Sequence, residues 1–287
     1  MNNPRVLITG GSGFIGFPLL KKLEAMGCNV FVIARNIPDN NEINIEAWHK
    51  ADISRIETYR KQVELFQPEV VIHLAWQDIP DYSLDTSLKN LNNTIGFLSF
   101  ITNIPSCKKI LVSGSCWEFN KAEGECLEFE VGSPQDHFTW AKHAIRSWLE
   151  VVCREKEITL GWLRVFYVYG PRQREGSLIP MLFKYIKKRE LPPTKTPNNA
   201  CDFIYIDDVV DGFLKASLTP ISSGIYNLGR GYSTPVIDVM RIVEKMVNGE
   251  EILTKKLIKK TEGQESLMNF WAGIKSTKNN LNWEPII

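Results

Sequence analysis

Three glycines near the amino end have the spacing of a phosphate-binding turn. Gly10, Gly13 and Gly16 follow the apolar run 5–9, and an amphipathic stretch continues to Met26. In such a turn the first glycine permits the tight bend, the second lets backbone approach a pyrophosphate, and the third lets the helix pack on the strand. The free N–H groups at the start of that helix favour an anion.

The context of this triplet makes it more specific than three glycines alone. A second strand-like run follows at 29–34, so the turn lies inside a strand–helix–strand unit. A purely structural turn is the alternative, and the surrounding pattern disfavours it. We therefore predict a dinucleotide-binding site whose phosphate turn consists of Gly10, Gly13, Phe14, Ile15 and Gly16.

The end of the second predicted strand bears on the choice of cofactor. NAD-preferring units usually carry an acidic residue about 20 residues further on, which binds the ribose 2′-OH. This chain has Arg35 and Asn36 there, without a carboxylate. A guanidinium can bind a 2′-phosphate through two hydrogen bonds. The sequence favours NADP(H), with NAD(H) as the alternative if Arg35 is only a solvated loop charge.

Strand-like and helix-like segments alternate through the first half of the chain and must hold this turn in place. The patterns predict a strand end at 51–53, a helix at 55–66, a strand at 70–74, a helix at about 84–101 and a strand at 109–113. Such alternation predicts a parallel sheet covered on both faces. We expect His73, at a strand end, to be a buried and hydrogen-bonded histidine rather than a catalytic one.

The composition disfavours several other classes of protein. The 287 residues include 34 basic and 33 acidic side chains, which leaves a net charge of +1 and no basic footprint for nucleic acid. No apolar run approaches the roughly 20 residues that span a bilayer, and the glycine turn interrupts the place of a signal peptide. The six cysteines are scattered without metal-ligand spacing. We expect a cytoplasmic protein without a metal, a membrane span or a nucleic-acid partner.

Short motifs spread along almost the whole chain occur in the order typical of one enzyme family. They are TGGSGFIG at 9–16, ADI at 51–53, HLA at 73–75, NTIG at 93–96, SGS at 113–115, Arg164, YGP at 169–171, DFIYIDDV at 202–209, YNLG at 226–229 and LNWEP at 281–285. Together they resemble the extended short-chain dehydrogenases, in the branch of NAD(P)-dependent nucleotide-sugar epimerases, dehydratases and reductases. The ordered set is far more specific than any single motif.

The resemblance implies an α/β fold, with a Rossmann-type doubly wound parallel sheet and a smaller C-terminal substrate-binding portion. We expect a dinucleotide-binding domain over 1–170 and a mainly substrate-binding portion over 171–287, from which the segment of about 201–230 returns to the Rossmann part. The implied substrate is a nucleoside-diphosphate sugar, in surface-polysaccharide precursor synthesis. A homodimer formed through the two long helices of the outer face is expected on the same basis.

The resemblance also assigns cofactor contacts beyond the glycine turn. It places Asp52 and Ile53 near the adenine and Ala75 near the cofactor ribose, and Leu74 is counted with them. Trp76 follows directly and is expected on the substrate side.

In that family a serine or threonine, a tyrosine and a lysine do the chemistry, the last two as Tyr-x-x-x-Lys on one helix. Residues four apart share a helical face, so both side chains reach one substrate. The lysine holds the nicotinamide ribose and lowers the pKa of the phenol from about 10. Here the resemblance assigns these roles to Ser115 and Lys142, but Phe138 occupies the tyrosine position.

Three explanations for Phe138 are open. A natural enzyme could reduce a 4-keto sugar with a proton supplied by Ser115, by Lys142 through the ribose, or by an ordered water. Phe138 could be an engineered tyrosine-to-phenylalanine substitution that holds substrate without turnover. The chain could also be a non-catalytic cofactor-binding or regulatory protein that keeps the fold.

The residues after Ser115 narrow the reaction. Relatives that eliminate water carry an acid–base pair there, whereas this chain has Cys116 and Trp117. A 4,6-dehydratase is therefore disfavoured. Cys116 could act as an acid or base at a carbon of the sugar if its thiol pKa were lowered. This keeps an epimerase that works through a transient ketone as an alternative, although a small buried thiol is the simpler interpretation.

The residues that bind the sugar nucleotide are less clear from sequence. Cys201 stands where relatives carry a phosphate-binding arginine, so other cations must serve. Position alone suggests Arg172, Arg174, Lys184 and Arg230. Trp76 and Trp117 are counted with the substrate-binding residues. We expect an NAD(P)-dependent oxidoreductase that most plausibly reduces a 4-keto sugar.

Overall fold

The computed structural model describes residues 3–38 and 48–287, and its largest element is a parallel sheet of seven strands. Numbered along the chain with the strands of the smaller sheets, these are β1 (Arg5–Thr9), β2 (Asn29–Ala34), β3 (Trp48–Lys50), β4 (Val70–His73), β5 (Lys109–Ser115), β7 (Thr159–Val165) and β11 (Gly224–Leu228). Their order across the sheet is β3-β2-β1-β4-β5-β7-β11. The α/β fold with a Rossmann-like sheet is therefore confirmed.

Helices cover both faces of this sheet. The bounds of the helices are α1 (Gly16–Ala25), α2 (Arg60–Phe66), α3 (Leu84–Ile101), α4 (His137–Glu155), α5 (Leu178–Lys187), α6 (Ile206–Leu218), α7 (Val236–Asn248), α8 (Ile252–Lys260) and α9 (Lys275–Leu281). The helices α1 and α6 pack on one face, and α2, α3 and α4 pack on the other, whereas α5, α7 and α8 pack on one another in a separate core. The side chains of β1 alternate between two cores, as expected for a strand buried on both faces. Val6 and Ile8 pack with Leu20 of α1, whereas Leu7 packs with Phe97 of α3 and Ile145 of α4.

Two smaller sheets lie in the C-terminal half. One is a parallel pair of β8 (Tyr167–Tyr169) and β10 (Phe203–Tyr205). The other contains β6 (Glu123–Cys126), β9 (Ala200–Cys201), β12 (Thr234–Pro235) and β13 (Asn269–Ala272). Strand β6 comes from the first half of the chain and pairs with β13, while α6 and β11 of the second half pack on and extend the large sheet. The two halves are thus interlocked.

The order of the strands creates the crevice in which the site lies. The chain runs outward from β1 through β2 to β3, and then returns to place β4 on the other side of β1. Ligands of such sheets bind at the carboxyl ends of the strands where the order reverses. Gly10 follows β1 and Leu74 follows β4, and the Leu74 N–H donates to the Thr9 carbonyl at 3.1 Å. Across the described ranges no helix has the length and apolarity needed to cross a bilayer.

Candidate active site

The glycine turn cannot accept side chains at its two ends. Gly10 has φ +75°, and a Cβ there would lie 2.7 Å from the Ala75 amide nitrogen. A Cβ on Gly16 would lie 2.2 Å from the Gly10 carbonyl oxygen. Within the described residues, the amides of Phe14 and Ile15 donate no backbone hydrogen bond. A close turn with free amides at a helix start is the environment that a pyrophosphate requires.

One side of this turn opens into a cavity of about 210 Å³ that has the position expected for an adenosine half. It brings together most of the residues assigned to the cofactor from sequence, namely Gly10, Gly13, Arg35, Asp52, Ile53, Leu74 and Ala75. Gln77 and Asn90 also line it and were not foreseen. Arg35 is exposed at this cavity and donates to Gln77 Oε1 at 3.0 Å.

Asp52 adds a negative charge to the same cavity. Burial alone would raise the pKa of its carboxyl, but hydrogen bonds from Ser54 and the charge of Arg35 outweigh burial and lower the pKa below its usual value. The Ser54 N–H donates to Asp52 Oδ1 at 2.9 Å. Asp52 is therefore ionised at neutral pH and held close to the guanidinium of Arg35.

The other side of the glycine turn opens into a cavity of about 390 Å³, which we call the catalytic cavity. Its lining joins the rest of the phosphate turn (Phe14, Ile15 and Gly16) to the residues assigned to chemistry and to two aromatic side chains assigned to the substrate. These residues are Ser115, Phe138, Lys142, Trp76 and Trp117. Tyr82 also lines the cavity, and no motif or spacing in the sequence pointed to it.

Lys142 is the charged group of the catalytic cavity. It is 7% exposed, and its Nζ donates to the Ser113 carbonyl at 2.8 Å. The same Nζ lies 4.1 Å from the centre of the Trp76 ring, a cation–π distance. Burial lowers the pKa of Lys142 to about 8, and Glu118 opposes this shift. Two of its three N–H donors remain free of partners among the described residues.

Ser115 ends β5 and is held by the short helical turn 116–119 that follows it. The Trp117 N–H donates to Ser115 Oγ at 3.2 Å, and the Ser115 N–H donates to Glu118 Oε1 at 2.7 Å. This reciprocal capping fixes the orientation of the hydroxyl oxygen. Because Oγ accepts a hydrogen bond from Trp117, its own hydrogen is available to a ligand in the catalytic cavity.

Glu118 is a positioning residue that sequence reasoning did not place. It is fully buried, and Arg164 Nε donates to its Oε2 at 3.4 Å. Trp162 Nε1 donates to the same oxygen at 2.9 Å. The Ser-x-x-Glu spacing was a usable sequence signal for the cap. The pairing with Arg164 joins the turn after β5 to strand β7, which lies far away in sequence, and had no such signal.

Phe138 lies in the first turn of α4, one helical turn before Lys142. Asp136 starts this helix by accepting the Thr139 N–H at 2.7 Å. The Phe138 ring is buried between two aromatic side chains, with centroids 5.2 Å from Trp76 and 5.1 Å from Tyr82. A phenyl ring in this place has no proton to give, so the proton chemistry of the cavity depends on its neighbours.

The candidate Cys116 lies outside the catalytic cavity, and so does His73, which the sequence predicts to be buried and not catalytic. Cys116 is 3% exposed and packs in the core, and burial raises the pKa of its thiol well above the usual value. The thiol is therefore protonated, and Cys116 is not among the residues that line the catalytic cavity. His73 is buried between Thr9 Oγ1 at 2.8 Å and Thr94 Oγ1 at 3.1 Å. Burial lowers its pKa to about 3, so the ring is neutral.

A third cavity of about 600 Å³ lies in the C-terminal half, and we call it the distal cavity. Arg230 lines it, with its guanidinium carbon 4.5 Å from the centre of the Tyr232 ring. Asp202 holds this loop because it accepts the N–H groups of Arg230 at 2.6 Å and Gly231 at 3.0 Å. Phe203 supplies an aromatic wall.

The other two arginines assigned from position do not line the distal or the catalytic cavity. The Arg172 guanidinium lies 3.7 Å above the Phe17 ring of α1. Arg174 donates to the Ile79 carbonyl at 2.8 Å and so joins the C-terminal half to the loop after β4. In the part of the chain that the structure describes, no cluster of side chains has the composition of a metal site.

The sequence matches the model of the NAD dependent epimerase/dehydratase family over residues 6–229, and the chain belongs to this family. It is 26% identical over 248 residues to CDP-abequose synthase from Salmonella muenchen, a match that covers 85% of this chain and 80% of that enzyme. The resemblance to nucleotide-sugar epimerases, dehydratases and reductases is thereby confirmed.

Solved structures share the fold. UDP-glucose 4-epimerase from Thermotoga maritima, with UDP-glucose, has a TM-score of 0.83 at 22% identity and covers 99% of this chain and 94% of its own. UDP-glucuronic acid 4-epimerase from Bacillus cereus, in complex with NAD, has a TM-score of 0.80 at 22% identity with the same coverage. At this level of identity the likeness establishes the fold alone.

Proposed function

We propose that the chain is an NAD(P)-dependent oxidoreductase that acts on a nucleoside-diphosphate sugar and reduces a 4-keto group. The observation that carries this proposal is the catalytic cavity, which Ser115 and Lys142 line together with residues of the glycine turn. The 26% identity to CDP-abequose synthase favours a reductase within the family.

The residues of the cavity have distinct roles in this reaction. Bound NAD(P)H supplies the hydride. Ser115 donates a hydrogen bond to the substrate carbonyl oxygen and stabilises the negative charge that grows there. Lys142 offers its free N–H donors to the ribose hydroxyls, and its positive charge favours the alkoxide further.

The distal cavity is proposed as the site of the sugar nucleotide's nucleoside end. The walls formed by Phe203 and Tyr232 offer aromatic surface to a base, and Arg230 offers the charge that a phosphate needs. Trp117 is 48% exposed at the catalytic cavity and is proposed to face the sugar.

For the cofactor we propose a preference for NADP(H), with NAD(H) as the alternative that the family name favours. Arg35 is exposed at the cavity of about 210 Å³ beside the glycine turn, where it could bind a 2′-phosphate. Charge-assisted hydrogen bonds contribute about 1.5–3 kcal/mol, so Arg35→Gln should weaken NADPH about 10- to 100-fold. The affinity for NADH should change much less. Equal losses for both cofactors would contradict this role of Arg35.

Assays with a panel of keto-sugar nucleotides test the proposed reaction. A reductase consumes NAD(P)H in stoichiometric amounts, whereas an epimerase gives no net change in absorbance and a binding protein turns nothing over. Ser115→Ala should lower kcat by about 100-fold or more, as loss of one donor to an oxyanion does. Ser106→Ala is the matched control. Ser106 lies before the amino end of β5, whereas Ser115 lies at its carboxyl end, and the Ser106 hydroxyl donates to the Pro68 carbonyl. Loss of activity in both variants, or in neither, would contradict the assignment.

A further inference from the structure

A second phenol borders the ring of Phe138. Tyr82 lies in the loop between β4 and α3 and lines the catalytic cavity together with Ser115 and Lys142. Its ring centroid is 5.1 Å from that of Phe138, with the two planes tilted by 50°. The residue that lacks a hydroxyl is thus in contact with one that has it.

We propose that the Tyr82 hydroxyl is the proton donor of the catalytic cavity, in the role that a tyrosine at position 138 would have. This inference rests on the proposed reduction of a keto sugar. It assigns the missing acid to a different element of the fold, the loop before α3 in place of α4.

The hydroxyl of Tyr82 is available for this role. Within residues 3–38 and 48–287 it has no hydrogen-bond partner, and the residue is 39% exposed. Burial raises the pKa of Tyr82, and the charge of Arg174 opposes that shift. The phenol is therefore protonated at neutral pH, as a proton donor must be, and its contact with solvent allows the proton to be replaced.

The loop that carries Tyr82 is anchored on both sides. Arg174 donates to the Ile79 carbonyl at 2.8 Å. On the α3 side, Thr86 Oγ1 donates to Asp81 Oδ2 at 2.6 Å. These contacts tie the loop to the C-terminal half and to the start of α3, so the phenol is held at the cavity by the fold rather than by Phe138 alone.

The proposed step balances in atoms and electrons. Hydride from NAD(P)H forms the new C–H bond at the carbonyl carbon and carries both electrons, while the C=O π pair moves onto oxygen. The Tyr82 O–H bond breaks, and its proton joins that oxygen to give the alcohol. The Tyr82 phenolate then takes a proton from solvent. NAD(P)+ is the oxidised product.

The test compares four forms of the full chain: wild type, Tyr82→Phe, Phe138→Tyr and the double variant, with Tyr185→Phe on α5 as the control. Tyr82→Phe removes one oxygen and keeps the ring that packs on Phe138, so folding is preserved. For each protein, kcat and KM are measured with a keto-sugar nucleotide, and NADPH affinity is measured by calorimetry.

We expect Tyr82→Phe to lower kcat about 100-fold or more, the usual range for loss of a general acid, with KM and NADPH affinity within about threefold of wild type. Adding Phe138→Tyr should restore most of the loss, which a merely structural role of Tyr82 would not allow. Tyr185→Phe should match wild type.

Two results would overturn the proposal and are distinguishable. If wild type reduces the substrate and Tyr82→Phe retains its kcat, Tyr82 is not the donor and the proposed reduction stands. If wild type binds NADPH but reduces no keto-sugar nucleotide, the proposed function fails and the role of Tyr82 fails with it.

Discussion

Removing the buried charge of Lys142 should change how the stability of the ligand-free chain depends on pH. Burial lowers the pKa of this lysine from 10.5 to about 8. A lysine whose pKa falls on folding destabilises the folded state fully below the folded pKa. That cost disappears as the pH rises through the folded value towards the unfolded one.

The size of the effect follows from the two pKa values. The difference between 10.5 and about 8 corresponds to about 3 kcal/mol of destabilisation at neutral pH. Between about pH 7 and about pH 9.5, about 2 kcal/mol of this cost should be relieved in the wild type.

The relief of this destabilisation can be measured by urea unfolding of wild type, Lys142→Met and Lys142→Arg at the two pH values. Neither methionine nor arginine titrates between these pH values. From the lower to the higher pH, the free energy of unfolding of wild type should therefore rise by about 2 kcal/mol relative to both variants. The titration of the chain's thiols and phenols is common to the three proteins and cancels. At the lower pH the methionine variant should be more stable than the arginine variant, which keeps the buried charge. If the difference in unfolding free energy between wild type and Lys142→Met changes by less than about 0.5 kcal/mol between the two pH values, the lowered pKa of Lys142 is contradicted.

Two further predictions concern the turn and the pair behind the site. Gly16→Ala should lower the free energy of unfolding by about 1–3 kcal/mol, because its Cβ would lie 2.2 Å from the Gly10 carbonyl. Gly96 lies in helix α3, and no atom lies within 4 Å of the Cβ that Gly96→Ala would add. This variant should instead raise the free energy of unfolding by about 0.5–1 kcal/mol. Equal effects of the two substitutions would contradict the close packing of the glycine turn. Glu118→Gln should cost about 3–5 kcal/mol in chemical denaturation, since it leaves the buried Arg164 charge unpaired, and a loss below about 1 kcal/mol would refute this.

The first part of the fold was predictable because its signals are local. Strands 5–9 and 29–34 occur as predicted, since short β-branched runs bounded by glycine and asparagine suit a strand buried on both faces. The strand predicted at 109–113 extends to Ser115. The sequence pattern could not show this extension, because Ser113, Gly114 and Ser115 have low strand propensity and are paired by tertiary contacts with β7.

The site was predictable only where motif spacing reflects one element. Phe138 and Lys142 share a helical face, and both line the cavity expected of them. Position along the chain could not tell Arg230 from Arg172, because the first is turned to the distal cavity by Asp202 and the second lies on Phe17 of another helix. Tyr82 was missed for the same reason, since its contact with the cavity depends on the path of a loop.

The proposed reaction requires that the glycine turn hold a pyridine dinucleotide beside Lys142. Calorimetric titration of the purified chain with NADPH and with NADH measures this binding, with Gly16→Ala and Gly96→Ala as paired variants. We expect one dinucleotide per chain for wild type and Gly96→Ala, and at least a tenfold loss of affinity, about 1.4 kcal/mol, for Gly16→Ala. Absence of binding by the wild-type chain, or undiminished binding by Gly16→Ala, would contradict this expectation.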